Sequence, residues 1–245
     1  MRKSQKQSTT KKLTRSQRRT QQKRQKQMQN IGLMTIGLVT IVVALIVATN
    51  TKVSSAPEII PAPARDHPMA EGNTMGDPNA PVVMIDFSDY QCSHCQNFYE
   101  ETELYIIENY VATGKVKFVF RSFGDSFAGD SGRAAQASYC AGDQGKFWDM
   151  HDIIYSNFSG SDNGGYSVNR LIAMAEMINL DVEEFTDCLK DKVYADRVDE
   201  DRVEADEKGI TGTPTFFIND QIVIGNKPIN TFIQIIDTEL AKVEE

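Results

Sequence analysis

The sequence predicts an α/β domain preceded by a single N-terminal transmembrane helix, and three observations support this fold class. The apolar run 81–87 leads directly into Cys92-Ser93-His94-Cys95, which opens a helical pattern. A long block of helical periodicity then separates two early strands from a later strand pair. Near the N-terminus, residues 31–49 form an uncharged apolar segment. The chain therefore combines a membrane-spanning segment with one mixed domain.

The first thirty residues are strongly basic. They contain eleven Lys and Arg and no acidic residue, whereas the rest of the chain has fifteen Lys and Arg against thirty-four Asp and Glu. Such a charged segment, poor in apolar residues, is typical of disordered chain. We interpret residues 1–30 as a disordered cytoplasmic head. Nucleic-acid binding is an alternative use of these charges, but they are needed to orient the next segment, so no nucleic acid partner is predicted.

Residues 31–49 are predicted to cross the membrane. Nineteen helical residues measure about 29 Å, close to the roughly 30 Å of the hydrocarbon core. The positive charges before the span place residues 1–30 in the cytoplasm and residues 50–245 outside it. A cleaved signal peptide is the alternative, although its apolar region is usually shorter and a cut after Ala56 would place Pro57 at the cleavage site. We therefore expect a single-pass protein of the cell membrane.

Residues 50–74 contain four prolines among small polar residues and show no periodicity. This composition predicts a semi-extended linker, and we interpret its His67 as a solvated side chain. Residues 75–245 then form the domain, which is long enough to build one compact core.

Within the domain, the apolar residues alternate first with the period of a strand and then with that of a helix. The acidic stretch 181–207 contains twelve carboxylates with interleaved Lys and Arg, which is typical of a solvated helical face and not of a metal site. The predicted elements are strand 82–87, helix 92–110, strand 116–121, helices 131–142, 147–157, 168–179 and 181–208, strands 215–219 and 221–225, and a final helix from 229 to about 243.

Cys92 and Cys95 are predicted to form a redox-active dithiol at the start of the first helix. The free N–H groups and the positive end of the helix dipole favour a thiolate there. Cys92, nearer the helix start, should attack, and Cys95, one turn deeper, should resolve the mixed disulfide. His94 can donate to the Cys92 thiolate or lie beside it as a cation, and a His that only fills surface at the helix start is the alternative. Zinc and haem sites also use C-x-x-C, but the sequence has no second C-x-x-C and no His directly after this one.

Asp86 lies six residues before Cys92 on the strand that leads to the dithiol. Side chains alternate along a strand, so Asp86 points away from the face shared by Val83, Ile85 and Phe87. A carboxylate among apolar neighbours has a raised pKa and could relay the proton of Cys95. An ordinary exposed strand residue is the alternative.

Four pieces of the chain resemble a known family of oxidoreductases: residues 76–81, 87–92, 147–152 and 212–216. On these pieces the chain, from Met75 to the C-terminus, resembles DsbA-like thiol:disulfide oxidoreductases of the thioredoxin superfamily. The resemblance implies a thioredoxin fold with a helical insertion over about 126–208. It also implies a cis peptide at Thr213–Pro214, packed beside the dithiol, and it agrees with Asp86 as the buried acid. One departure is Gly124, where relatives tend to carry Pro.

Cys140 and Cys188 lie in different predicted helices of the insertion and bring the cysteine count to four. In an exported domain two such cysteines usually pair, so a structural disulfide is predicted. Two unpaired buried cysteines are the alternative. His151, which follows Phe147 and Trp148, is interpreted as structural.

The predicted function is disulfide exchange with the dithiols of exported proteins, in the oxidising direction. A membrane quinone-linked thiol oxidase is the expected partner for reoxidation, and no cofactor or metal site is recognised in the sequence. A reductase or isomerase on the same fold is one alternative. A non-catalytic thioredoxin-like binding module is another, although the intact dithiol with His94 argues against it.

Overall fold

The computed structural model describes residues 58–124, 130–160 and 164–243, and a few isolated positions between 23 and 34. The chain divides into two compact units, residues 1–55 and 56–245, and the second contains every predicted site residue. None of the described helices is long and apolar enough to cross a bilayer. Of the predicted span 31–49 only Met34 is described, so the anchor stays a prediction.

A mixed five-stranded sheet forms the centre of the second unit, in the order β1-β3-β2-β4-β5. Strands β2 and β3 run parallel, as a helix between them requires, and the other neighbouring pairs are antiparallel. Five of the described helices lie between β3 and β4, so the predicted thioredoxin-like fold with a helical insertion is confirmed. The strands are β1 Thr74–Met75, β2 Val82–Ser88, β3 Val116–Ser122, β4 Thr215–Ile218 and β5 Gln221–Ile224; the helices are α1 93–111, α2 Ser131–Gly142, α3 Phe147–Ser156, α4 Val168–Met177, α5 Val182–Lys190, α6 Ala195–Glu207 and α7 Ile229–Ala241.

The register of the sheet buries one acidic residue of β2 among aromatic side chains. Asp86 is opposite Phe120 of β3 and Phe216 of β4, both of which are fully buried. The other face of β2 presents Phe87 to a smaller apolar cluster, which includes Ala205 of α6. The predicted alternation along this strand is confirmed.

Helix α1 begins at Ser93 and is interrupted twice by wider turns with π-helical hydrogen bonding, at Tyr99–Glu103 and at Ile107–Val111. The predicted helix 181–208 is in fact two helices, α5 and α6. They separate near Lys192, which has a φ of 54°. The acidic stretch is also not all solvated, because Asp201 of α6 is fully buried and pairs with Arg197 and Arg121.

The linker prediction is wrong for residues 58–74. Residues 58–67, which we call the strap, pack on the domain: the side-chain amide of Asn157 binds both the N–H and the carbonyl of Ile60 at 2.8 Å. His67 is not solvated, because its Nε2 lies 3.0 Å from the Asp152 carboxylate. A Pro-containing segment gives no periodicity even when it is bound, so its composition alone could not reveal this packing.

Candidate active site

The dithiol lies where β2 ends and α1 begins. Cys92 is the N-cap residue of the helix, with φ −85° and ψ 120°, and its carbonyl accepts the N–H groups of Cys95 and Gln96 at 3.1 Å. Both cysteines are free thiols, and only 7% of Cys92 and 1% of Cys95 is exposed. Cys92 is therefore the sulfur that a substrate reaches first.

The surroundings of Cys92 favour its thiolate. The hydrogen bond from the Cys95 thiol has the largest effect, the Thr213 side chain and the backbone N–H groups of Cys95 and His94 add to it, and partial burial opposes it. Together they lower the pKa of Cys92 to about 5. Cys92 is therefore ionised at neutral pH.

The peptide bond between Thr213 and Pro214 is cis, and it lies beside the dithiol, since the Thr213 carbonyl is 3.4 Å from the Cys92 sulfur. The Thr213 hydroxyl is buried and has no other hydrogen-bond partner among the described residues. It is free to turn toward the sulfur, which agrees with its effect on the pKa of Cys92. The structure thus brings Thr213 and Pro214 to the site as the resemblance implies.

The surroundings of Cys95, unlike those of Cys92, disfavour its thiolate. Burial, the nearby Cys92 sulfur and the charge of Asp86 all raise its pKa well above the usual value. Its sulfur accepts a hydrogen bond from the N–H of Asp89 at 3.5 Å. Cys95 therefore keeps its proton until a nearby group removes it.

Asp86 is the nearby acid, and it is only 2% exposed. Burial raises its pKa well above the usual value, although Ser88 opposes this by donating its hydroxyl to Asp86 Oδ1 at 2.5 Å. The structure therefore places a protonatable carboxyl group behind Cys95, as the sequence predicts.

The effect of the His94 imidazole on the Cys92 thiolate stays a prediction. The side chain is exposed and makes no hydrogen bond to any residue that the structure describes. What reaches Cys92 from this residue is its backbone N–H. The first turn of the helix supplies the stabilisation that the sequence argument attributes partly to the ring.

A family model described as thioredoxin matches residues 69–238. The chain belongs to the thioredoxin family. Among solved structures, α-DsbA1 of Wolbachia pipientis has a TM-score of 0.62 and 27% sequence identity, covering 74% of this chain and 94% of that one. The domain is therefore a DsbA-like member of the thioredoxin family.

Two relatives in sequence have different names. A probable disulfide bond formation protein D of Bacillus cereus is 27% identical over 174 residues, which cover 69% of this chain and 79% of that protein. The Na(+)/H(+) antiporter NhaA 1 of Salinispora arenicola is 32% identical over 158 residues, which cover 64% of this chain but 22% of the antiporter. The chain thus spans about a fifth of the length of the antiporter.

Gly124, the departure from thioredoxin-family relatives, has a local reason. Its φ is +71°, and its N–H donates to the Ser122 hydroxyl at 3.1 Å. Proline has φ fixed near −65° and no N–H, so it could do neither.

The structure joins Cys140 of α2 and Cys188 of α5 in a disulfide. Its two helices also pack on each other through the main core, to which both cysteines belong. The dithiol Cys92–Cys95 lies at the start of a different helix, α1. The two cysteine pairs therefore have separate places in the fold.

A buried polar network at the π-helical turn Tyr99–Glu103 of α1 was not predicted from the sequence. Glu103 is 1% exposed; one of its oxygens lies 3.2 Å from Arg65 of the strap and the other 3.3 Å from His151 Nε2. His151 Nδ1 is 3.2 Å from the Tyr90 hydroxyl. The helical spacing could have indicated that Glu103 is buried, because Glu103 lies on the side of α1 that also presents Thr102 and Ile106 to the core.

Glu103, His151 and Asp152 have ligand atoms within 4.8 Å of one another. Three such groups can hold a metal ion, but side chains of the strap already contact two of them. Arg65 pairs with Glu103, and His67 pairs with Asp152. We interpret the cluster as an ion-pair network between the strap and the domain.

Proposed function

We propose that this chain is a thiol:disulfide oxidoreductase that introduces disulfides into exported proteins through Cys92 and Cys95. The observation that supports this proposal best is the contrast between the two sulfurs: a pKa of about 5 for Cys92 and a strongly raised pKa for Cys95. The name of the Bacillus cereus relative, a probable disulfide bond formation protein, agrees with it.

The reaction starts from the Cys92–Cys95 disulfide. A substrate thiolate attacks the sulfur of Cys92, a new disulfide forms between substrate and Cys92, and Cys95 leaves as a thiolate. The carboxyl group of Asp86 gives its proton to Cys95 and is later reprotonated from solvent. The buried acid thus makes a buried thiolate an acceptable leaving group.

A second thiolate of the substrate then attacks the substrate sulfur of the mixed disulfide. The substrate leaves with its own disulfide, having lost two electrons, and Cys92 leaves as a thiolate. Because the helix start stabilises that thiolate, the reduced form of the enzyme is favoured and the disulfide is oxidising. The acidity of Cys92 therefore supports the oxidase direction over the reductase or isomerase.

The loop at Thr213–Pro214 is proposed to hold the substrate chain through backbone hydrogen bonds. This mode depends little on the substrate's side chains and suits a broad set of exported proteins. A membrane quinone-linked thiol oxidase is proposed to restore the disulfide. Residues 31–49 are proposed to anchor the chain, with the head in the cytoplasm and the catalytic domain outside.

A single-turnover experiment tests this function. The oxidised full chain is mixed with an equimolar reduced peptide containing two cysteines, and both products are measured by mass spectrometry. We expect one peptide disulfide to form for each Cys92–Cys95 disulfide lost. The Cys140→Ser variant serves as a matched control that retains the reaction. Failure of the oxidised protein to react with the peptide would favour the binding module, and reaction only from the reduced protein toward a disulfide peptide would favour the reductase.

A further inference from the structure

Arg65 of the strap binds α1 at its first π-helical turn, Tyr99–Glu103. One guanidinium nitrogen pairs with Glu103, and another donates to the Tyr99 carbonyl at 3.1 Å. The guanidinium carbon lies 3.8 Å from the centre of the Tyr99 ring. This residue therefore fixes the backbone, the ring and the carboxylate of one turn of the catalytic helix.

The Glu103 carboxylate is held from its other side by His151. The hydrogen-bond network assigns the ring proton to Nε2, since Nδ1 then accepts from the Tyr90 hydroxyl while Nε2 donates to Glu103. Ser138 completes the network at 2.8 Å from the same hydroxyl. Both oxygens of Glu103 are thus held by side chains that the fold fixes in place.

Glu103 and Asp86 face the same part of the core, because Phe120, which lies opposite Asp86 on β3, packs against the His151 ring with 5.1 Å between ring centroids. Apart from burial, the influences that raise the pKa of Asp86 are the charges of Glu103 and of Cys92. In the oxidised enzyme Cys92 is part of a disulfide and has no charge. Of the two, only Glu103 then remains to favour the protonated form of Asp86, and the oxidised enzyme is the form in which that proton is needed.

We propose that Glu103 is a positioning residue of the redox site. Fixed between Arg65 and His151, its carboxylate supplies a permanent negative charge behind Asp86, so that Asp86 retains the proton that Cys95 takes up when it leaves. The strap is then part of the redox site, because it supplies the cation that pairs with the buried Glu103. This inference rests on the proposed function for the direction of proton transfer.

Other titratable groups face the same region and could shift with Glu103. Around Asp86 these are Cys92, Cys95 and Tyr155; around Glu103 they are Arg65, His67, Tyr90, Tyr99, His151 and Asp152. The experiment must therefore observe Asp86 itself.

Infrared titration of the oxidised full chain observes Asp86 directly. The absorbance of a protonated carboxyl group is assigned to Asp86 by its loss in Asp86→Asn, and its disappearance is followed with rising pH. We expect Glu103→Gln to move the midpoint to lower pH. Glu108→Gln, which removes an exposed carboxylate from the same helix, should titrate like the parent protein. Arg65→Met/Glu103→Gln should titrate like Glu103→Gln.

A kinetic readout accompanies the titration. The rate at which a dithiol reduces the Cys92–Cys95 disulfide should begin to fall at lower pH in Glu103→Gln than in the parent, because Asp86 loses its proton earlier. Coincident midpoints in the parent and Glu103→Gln would overturn the proposal, and so would an equal shift in Glu108→Gln. Absence of exchange in the parent would reject the proposed function and leave the infrared result to decide the role of Glu103.

Discussion

Two turns of α1 each hold a negative charge, and they hold it by different means. At the first turn the Cys92 thiolate is stabilised by the Cys95 thiol, by Thr213 and by N–H groups of the helix start. At the π-helical turn Tyr99–Glu103, which we call the second turn in this comparison, the Glu103 carboxylate is stabilised by the side chains of Arg65 and His151. These two residues come from the strap and from α3. The first arrangement is mostly local in sequence, and the second is assembled by the tertiary fold.

The two charges also have different chemical roles. Cys92 forms and breaks bonds, whereas Glu103 touches no reacting atom and acts through the field at Asp86. A short motif thus places the reactive Cys92, whereas the protonation of Asp86 depends on residues that are distant in the sequence. Variants of the two turns should therefore differ in the kind of effect and in its size.

The largest effect is expected at the first turn. Cys92→Ser should abolish disulfide exchange, because the Cys92–Cys95 disulfide that the substrate attacks can no longer form, while Cys95→Ser should leave Cys92 trapped in mixed disulfides with exported proteins. Isolation of such adducts by non-reducing gel electrophoresis checks this prediction. Adducts that form equally well through Cys95 in the Cys92→Ser variant would show that the roles of the two sulfurs are reversed.

At the second turn we expect a loss of stability. Arg65→Met leaves the buried Glu103 carboxylate without its cation, and breaking a buried ion pair on one side costs about 3–5 kcal/mol of unfolding free energy. Arg65→Met/Glu103→Gln should recover part of this loss, since the unpaired charge is also removed. Urea unfolding of the parent, both single variants and the double variant measures the coupling. Additive effects of the two substitutions would contradict the buried pair.

The pH dependence of stability separates the two turns further. The pKa of Cys92 is lower in the folded, reduced protein than its usual value of 9.0. The stability that its thiolate contributes is therefore present above that value and is lost as the pH falls toward about 5. The oxidised protein has no Cys92 thiolate, and Asp86 and Glu103 are common to both forms. The melting temperature of the reduced form minus that of the oxidised form should therefore fall as the pH is lowered from 9 toward 5. A difference that does not change over this range would contradict the acidic Cys92.

The smallest effect is expected for His94→Ala. The exposed imidazole makes no hydrogen bond in the described part of the chain, so a charge on it is largely screened by solvent. The potential should decrease by less than about 30 mV, which corresponds to about 1.4 kcal/mol for a two-electron couple. A larger decrease would mean that the ring stabilises the thiolate directly, as the sequence analysis expected.

The difference between the two turns also explains what the sequence could reveal. The strand pattern that ends at Ser88 and the cysteine spacing placed the dithiol, and the alternation along β2 placed Asp86 on the buried face. Both inferences use residues that lie within a few positions of each other. The cis peptide at Thr213–Pro214 is distant in sequence, and only the family resemblance indicated it.

The contact between Arg65 of the strap and Glu103 could not be predicted in the same way. Arg65 and Glu103 lie in segments whose patterns say nothing of each other, and the prolines near Arg65 gave the composition of a linker. His94 is the opposite case, because its place between two reactive cysteines suggests a role, while its exposed side chain makes no hydrogen bond among the described residues that would reveal one. Local patterns identify which groups react, and only the packed structure shows which charges surround them.

The equilibrium of the Cys92–Cys95 pair with reduced and oxidised glutathione is the decisive test of an oxidising disulfide at this site. Because an acidic Cys92 stabilises the reduced enzyme, we expect a potential above the roughly −270 mV of thioredoxin. The fraction of reduced protein is measured by alkylation and mass spectrometry, with Cys140 and Cys188 kept in their disulfide. A potential at or below that of thioredoxin would contradict the oxidase function of the Cys92–Cys95 pair and assign the chain to the reductases.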